Sequence, residues 1–194
     1  MSSRRCEPLE TGTVSLARAA WNGQFPARFQ LVAAMNPCPC GYAGDSNGRC
    51  RCTQPAVRRY VARISGPLLD RIDLHVDVPR LEYAALAPAA AVTEPSAVVA
   101  ARVLEARTRQ AARGALNAFL DSRRLSDACA LGLREHGLLE KAMQRLGLSA
   151  RACHRILRVA RTIADLAGLE RVGMTELSEA IGYRRLDRER QAAT

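Results

Sequence analysis

Only two stretches of this 194-residue chain have the character of a β-strand, and that limits what it can fold into. Residues 29–36 read FQLVAAMN, and the continuous apolar run from Leu31 to Met35 suits a strand buried on both faces. Pro37 ends it. Residues 72–78 read IDLHVDV, where Ile72, Leu74, Val76 and Val78 alternate with Asp73, His75 and Asp77, the period of a half-buried strand. Between them, Ser65-Gly66-Pro67 opens a short helix, with serine as cap and proline in the first turn. One or two strands cannot make a doubly wound sheet. Either residues 1–83 use an unusual small fold, or the rest of the sheet lies in sequence upstream of them.

The remainder reads differently. Residues 84–97 are Ala/Pro-rich without an amphipathic period and are expected to be a linker. Residues 98–194 are expected to be a helical domain, its first helix opening near Ser96 and running to Arg113. Val99, Val103 and Ala106 form one stripe of that helix, and Arg102, Arg109 and Arg113 line another face. Shorter helices follow to Leu146. Ser149 caps a helix to about Ala167, with Ile156, Val159, Ala160, Ile163 and Leu166 on its core face. A last pair of helices is expected over Thr175–Gln191, broken near Gly182. Aromatic residues are 4% of the chain, which favours helix-rich packing.

The formal net charge is +10, almost all of it from arginine, the side chain suited to bidentate phosphate contacts. A nucleic-acid or nucleotide partner fits this charge, with Arg102, Arg109 and Arg113 as the DNA-facing candidates; an arginine-rich solvated surface fits it equally. No apolar run approaches the ~20 residues that span a bilayer, and MSSRRCEPLE has no apolar signal-peptide region. A cytoplasmic protein with reduced thiols is expected, and no membrane partner. Cys38, Cys40, Cys50 and Cys52, in CPCG…CRC, then read as four possible ligands for one tetrahedral Zn2+, joined by a turn-rich loop. The C-x-C spacing is tighter than usual for zinc, and four reduced cysteines without metal remain the alternative. Cys6, Cys129, Cys153 and the three histidines show no ligand spacing.

Residues 25–41, FPARFQLVAAMNPCPCG, and 63–74, RISGPLLDRIDL, strongly resemble the magnesium-chelatase-like AAA+ ATPase family, in its ComM/YifB branch. EPLETG at 7–12 resembles the family's segment after the Walker B strand, and YRRLDR at 183–188 its C-terminal helical module. The resemblance covers nearly the whole chain. It implies an α/β P-loop AAA+ core, of which residues 1–83 would be the C-terminal portion, followed by an all-α helical lid in a homo-oligomeric, hexameric ring. It assigns Asn36 to sensor 1, where an amide orients the attacking water. It assigns Arg71 to the arginine finger, which enters a neighbouring subunit's site and offsets charge on the transferred phosphoryl group. Arg151, Arg155 and Arg158, spaced by four and three on one helix, fall in the sensor 2 region. From the residues alone, Asn36 is an Asn-Pro turn starter, Arg71 a surface partner of Asp70 or Asp73, and the three helix arginines a solvated face.

No G-x-x-x-x-G-K-[ST] occurs in the sequence, and no apolar strand ending in paired acids precedes residue 12. ATP and Mg2+ are thus expected in the full-length family but not held by this chain alone, which reads as a truncated or mis-started product. The Lon-protease-like domain of the family is not expected here either. For the ComM branch the resemblance implies ATP-driven DNA branch migration in transformation. The alternatives are a non-enzymatic, zinc-stabilised nucleic-acid-binding module and a non-functional remnant.

Overall fold

The structure is a computed structural model that describes residues 8–18, 21–45, 47–79 and 94–184. The chain divides into two compact units, one ending at Ile72 and one beginning at Asp73.

The first unit opens with a helical turn, α1 (Pro8–Thr11), and an antiparallel hairpin of β1 (Thr13–Arg18) and β2 (Trp21–Pro26). The strands pair from Thr13 with Pro26 to Arg18 with Trp21. Sequence reasoning did not find this hairpin. Its alternation is short, and Leu16 and Phe25 stay exposed, so no buried face announces it. Then come the cysteine loops, helix α2 (Gln54–Val61) with Pro55 in its first turn, and the short α3 (Gly66–Leu69). The helix expected after Ser65 is present, with Ser65 as N-cap and Pro67 in the first turn. Among the described residues of this unit, the buried apolar side chains are Cys38 and Leu69.

Neither expected strand forms. Residues 27–36 are irregular, with Phe29, Leu31, Val32 and Met35 all exposed, Val32 at 84%. Residues 74–79 are irregular as well, and the expected alternation is absent: His75 is buried while Leu74, Val76, Asp77 and Val78 are all exposed. The reason is elementary. A strand is stabilised by ladder bonds to a neighbouring strand, and no described segment lies alongside to supply them. Instead the His75 amide donates to the Tyr183 carbonyl at 2.8 Å.

The second unit is helical, as expected: α4 (Ser96–Ala112), a 3-10 turn (Asn117–Phe119), α5 (Ser122–Cys129), α6 (Leu133–Leu146), α7 (Ala150–Leu166) and α8 (Met174–Gly182). Each boundary has a local cause. The Asp121 carboxylate accepts from the Arg124 amide at 2.9 Å, and the Ser149 hydroxyl from the Ala152 amide at 3.1 Å. Gly132 and Gly173 precede helices whose third residues, Glu135 and Glu176, reach back to accept from the glycine amides at 3.1 and 2.9 Å. α6 ends at Gly147, whose φ of 50° suits a residue without Cβ.

The core lies among α5 to α8: Leu125, Leu139, Ile156, Ala160, Ala164, Val172, Leu177 and Ile181. Ile156 and Ala160 are core, as read from the period of α7; Val159 and Ile163 are partly buried, and Leu166 is 39% exposed. On α4 the apolar stripe is weaker than its spacing suggested, since Ala106 is buried but Val99 and Val103 are not. The second of the last two expected helices lies outside the described residues, as does most of the expected linker.

Candidate functional site

The four clustered cysteines come from two backbone loops. The first is a tight turn closed by a Gly41 amide bond to the Cys38 carbonyl (3.0 Å), with Gly41 at φ 81°, where a side chain would be strained. The second precedes α2. The segment joining them is pinned by a bidentate Arg49–Asp45 pair (2.7 and 2.9 Å), and the Arg49 guanidinium lies 4.5 Å over the Tyr42 ring.

This brings the sulfurs of Cys38, Cys40, Cys50 and Cys52 within 4.8 Å of one another. Cys38 Sγ is 3.3 Å from Cys40 Sγ and 3.8 Å from Cys50 Sγ, and the Cys40–Cys50 distance is 3.7 Å. Sulfurs bound tetrahedrally at ~2.3 Å stand about 3.8 Å apart, so the donor set fits zinc in both number and spacing. The Ala43 amide also donates to Cys38 Sγ at 3.3 Å, a hydrogen bond that would stabilise a metal-bound thiolate. The thiols divide in acidity. A backbone hydrogen bond from Tyr42, then one from the Cys38 thiol, bring Cys40 down to about 6. At Cys52 a backbone hydrogen bond from Cys40 acts downward, but the neighbouring Cys40 and Cys38 sulfurs and burial push the thiol up to about 11. A divalent cation among the four sulfurs would favour the thiolate form of all of them. Elsewhere, burial raises Cys129 to about 11 and raises Cys153, as for inert packing thiols.

Asn36 is exposed at the end of the extended 27–36 segment, its side chain against Gly41. Arg71 follows α3 in a turn rather than at the start of a strand. Its guanidinium is not paired with Asp70 or Asp73. It donates to Glu10 at 2.9 Å and to the Pro67 carbonyl at 2.7 Å.

The three α7 arginines differ in their surroundings. Arg151 is exposed in the first turn. Arg155 is buried and donates to Asp73 at 2.6 Å, across 82 residues of sequence. Arg158 donates to the Leu120 carbonyl at 3.0 Å, and burial together with the nearby Arg155 charge lowers its pKa. On α4, Arg102 pairs with Glu94. Arg109 donates to the Asp165 carbonyl at 2.8 Å, and Arg113 is bonded to the Asp165 carboxylate.

Sequence reasoning missed the polar centre of this unit. Asp165 is fully buried; one carboxylate oxygen accepts from Arg113 and from Asn117 (2.8 Å), and the other forms an ion pair with Arg161 (3.1 Å). Arg161, also fully buried, further donates to the carbonyls of Ala128 and Glu170 at 3.0 and 2.8 Å. By spacing, Arg161 merely continues the row of Arg151, Arg155 and Arg158; only the i,i+4 placement of Asp165 hinted at a pair.

Residues 3–86 match the family described as magnesium chelatase, subunit ChlI, and residues 93–184 match that described as magnesium chelatase, subunit ChlI C-terminal. The chain is 47% identical over 184 residues to competence protein ComM of Haemophilus influenzae, and 45% identical over 184 residues to the uncharacterized protein YifB of Escherichia coli. Each alignment covers 94% of this chain and 36% of the relative. A Mycobacterium tuberculosis relative is 40% identical over 188 residues, covering 91% of this chain and 35% of its own length. The chain thus spans about a third of the length of the curated relatives it matches.

Proposed function

This chain belongs to the magnesium chelatase ChlI-like family of ComM and YifB, and from that premise we propose that it supplies the sensor, arginine-finger and helical-lid portion of a ring-forming AAA+ ATPase that remodels DNA. One observation carries this reading. The residues assigned to sensor 1 and the finger lie close in sequence to two irregular segments, 29–35 and 74–78, whose apolar side chains Phe29, Leu31, Val32, Met35, Leu74, Val76 and Val78 are open to solvent. Exposed apolar rows of this kind are what the packed layers of an α/β core cover once neighbouring strands pair with the backbone. We assign those strands, with the phosphate loop and the magnesium carboxylates, to the remainder of the ATPase core. There Asn36 would orient water, Arg71 would reach a neighbouring subunit's phosphates, and Arg151, as the exposed member of its row, would read phosphate ahead of Arg155 and Arg158. Bound ATP·Mg2+ would supply the phosphoryl group; this chain's residues would position and neutralise it. DNA branch migration in the cytoplasm, as the ComM likeness suggests, is the work to which hydrolysis would be coupled. Among the described residues, no helix is long and apolar enough to cross a membrane.

The test is direct. The purified chain should not hydrolyse ATP above background, since its sequence contains no G-x-x-x-x-G-K-[ST]. Robust turnover by the chain alone, lost in Asn36→Ala, would overturn the assignment.

A second reading, a zinc-stabilised nucleic-acid-binding module, is favoured by the thin core of the first unit. A unit whose described buried apolar side chains are Cys38 and Leu69 needs another source of stability, and a four-thiolate metal site supplies one. About one zinc per chain is expected from protein purified under reducing conditions without chelator. Cys50→Ser combined with Cys52→Ser should release it and unfold the first unit, while the helical unit keeps its circular dichroism. Metal-free protein with an unchanged melt would remove zinc from the account. Of the arginines proposed to face DNA, Arg102 and Arg109 keep about half-exposed side chains, whereas Arg113 is committed to Asp165. The helix's share of DNA affinity is accordingly assigned to the first two.

A further inference from the structure

We propose that a cleft beside the cysteine cluster is a binding site for single-stranded DNA, in which Tyr60 stacks a base and Arg59 and Arg63 hold the adjoining phosphates. The proposal rests on the reading that DNA is the partner, and it places the contact on a different unit from Arg102 and Arg109.

The cleft, of about 640 Å3, is lined by Pro39, Ala56, Arg59, Tyr60 and Arg63. Pro39 stands between two of the clustered cysteines, so the turn that holds those sulfurs also forms one wall. Arg59 and Arg63 are one helical turn apart at and just beyond the C-terminal end of α2, both exposed. Arg63 lies 6.0 Å over the Tyr60 ring, at the outer limit of a cation–π contact. The lining therefore combines two phosphate-seeking guanidiniums, one aromatic face and two small apolar walls, and contains no acid.

The charge around the cleft points the same way. Residues 38–63 hold five arginines (Arg49, Arg51, Arg58, Arg59 and Arg63) against one acid, Asp45, which is committed to Arg49. Zinc on four thiolates would carry two negative charges, and the segment would still be net positive. Arg51 and Arg58 are exposed and have no ion-pair partner among the described residues, so they extend the basic surface beyond the cleft.

An aromatic face beside paired arginines selects an unpaired strand. In a duplex the base faces are occupied by their own stack, whereas a splayed base can lie on tyrosine while its phosphates meet arginine. No Asn, Gln, Asp or Glu lines the cleft to read base edges, so recognition should be tolerant of sequence.

The experiment titrates the full chain, zinc-loaded, into a fluorescent 20-nucleotide oligo-dT and a matched duplex across a series of salt concentrations. The parent should prefer the single strand. Arg59→Ala with Arg63→Ala should weaken binding at least tenfold, and should lower the slope of log affinity against log salt by about 1.4, two phosphates at ~0.7 each. Tyr60→Ala should weaken binding between roughly fivefold and a hundredfold with the slope unchanged, because stacking releases no counterions. Tyr60→Phe, which keeps the ring, should bind as the parent does, and Arg59→Lys with Arg63→Lys should keep the slope. Zinc content and melting temperature verify that each variant is folded. If folded Tyr60→Ala and the double arginine variant bind oligo-dT with parental affinity and slope, the cleft is not the site. If Arg102→Ala with Arg109→Ala then abolishes binding, the DNA reading survives and this proposal alone falls. Parent protein that binds neither strand nor duplex would overturn both.

Discussion

Asp165→Ala should destabilise the helical unit by about 3–5 kcal/mol, measured by urea unfolding of parent and variant under the same conditions. The carboxylate has no access to solvent and receives Arg113, Asn117 and Arg161. Its removal leaves the Arg161 charge, itself fully buried, without its counter-charge, and breaking a buried ion pair from one side costs about that much. The carbonyls of Ala128 and Glu170 would still accept from Arg161, which keeps the loss from being larger. A domain has roughly 5–15 kcal/mol in total, so the variant is expected to be partly unfolded at 37 °C. Asp165→Asn retains a carbonyl oxygen for the same donors and should fall between. An Asp165→Ala variant within about 1 kcal/mol of the parent would show that the network does not organise this unit.

Arg71→Ala should reduce the turnover of a reconstituted ATPase by about a thousandfold or more, the scale on which arginine fingers act on phosphoryl transfer. Here the structure supplies a control. Arg71 is tied to Glu10 and to the Pro67 carbonyl within its own unit, so a purely structural role would be shared with Glu10. Glu10→Ala removes that pair and leaves the guanidinium. The finger role predicts near-parental turnover in Glu10→Ala and collapse in Arg71→Ala. Equal losses in the two variants would make Arg71 a brace between α1 and α3 instead. Arg71→Lys keeps a charge but not the planar fork, and it should recover only a small part of the rate.

What could be read from the sequence was local chemistry. Ser149 marks a helix start because a cap is decided within three or four residues, whereas Ser65 precedes α3 without a side-chain capping bond and Pro67 sets the first turn there. The four cysteines converge because short turns bring them there, with Gly41 admitting the first. The two strands failed for the opposite reason. Apolar runs such as Leu31–Met35 specify a buried strand only when partner strands lie alongside, and Val32 and Val78 are instead exposed. The row of α7 arginines shows the same limit. Arg151 and Arg161 share a spacing pattern, yet one is exposed and the other is fully buried, held by carbonyls from positions 128 and 170. Which arginine reads solvent and which is buried is set by contacts distant in sequence.

We propose that this chain completes an ATPase whose phosphate loop lies on other sequence of the family. The measurement is ATP hydrolysis as the chain is titrated into a separately purified segment of a family member carrying G-x-x-x-x-G-K-[ST] and the magnesium carboxylates. Background rates are expected for either component alone, with turnover that rises and saturates as the two are combined and no such rise when Arg71→Ala replaces the parent. A phosphate-loop segment whose rate is unchanged at every ratio, with both components folded, would contradict this proposal.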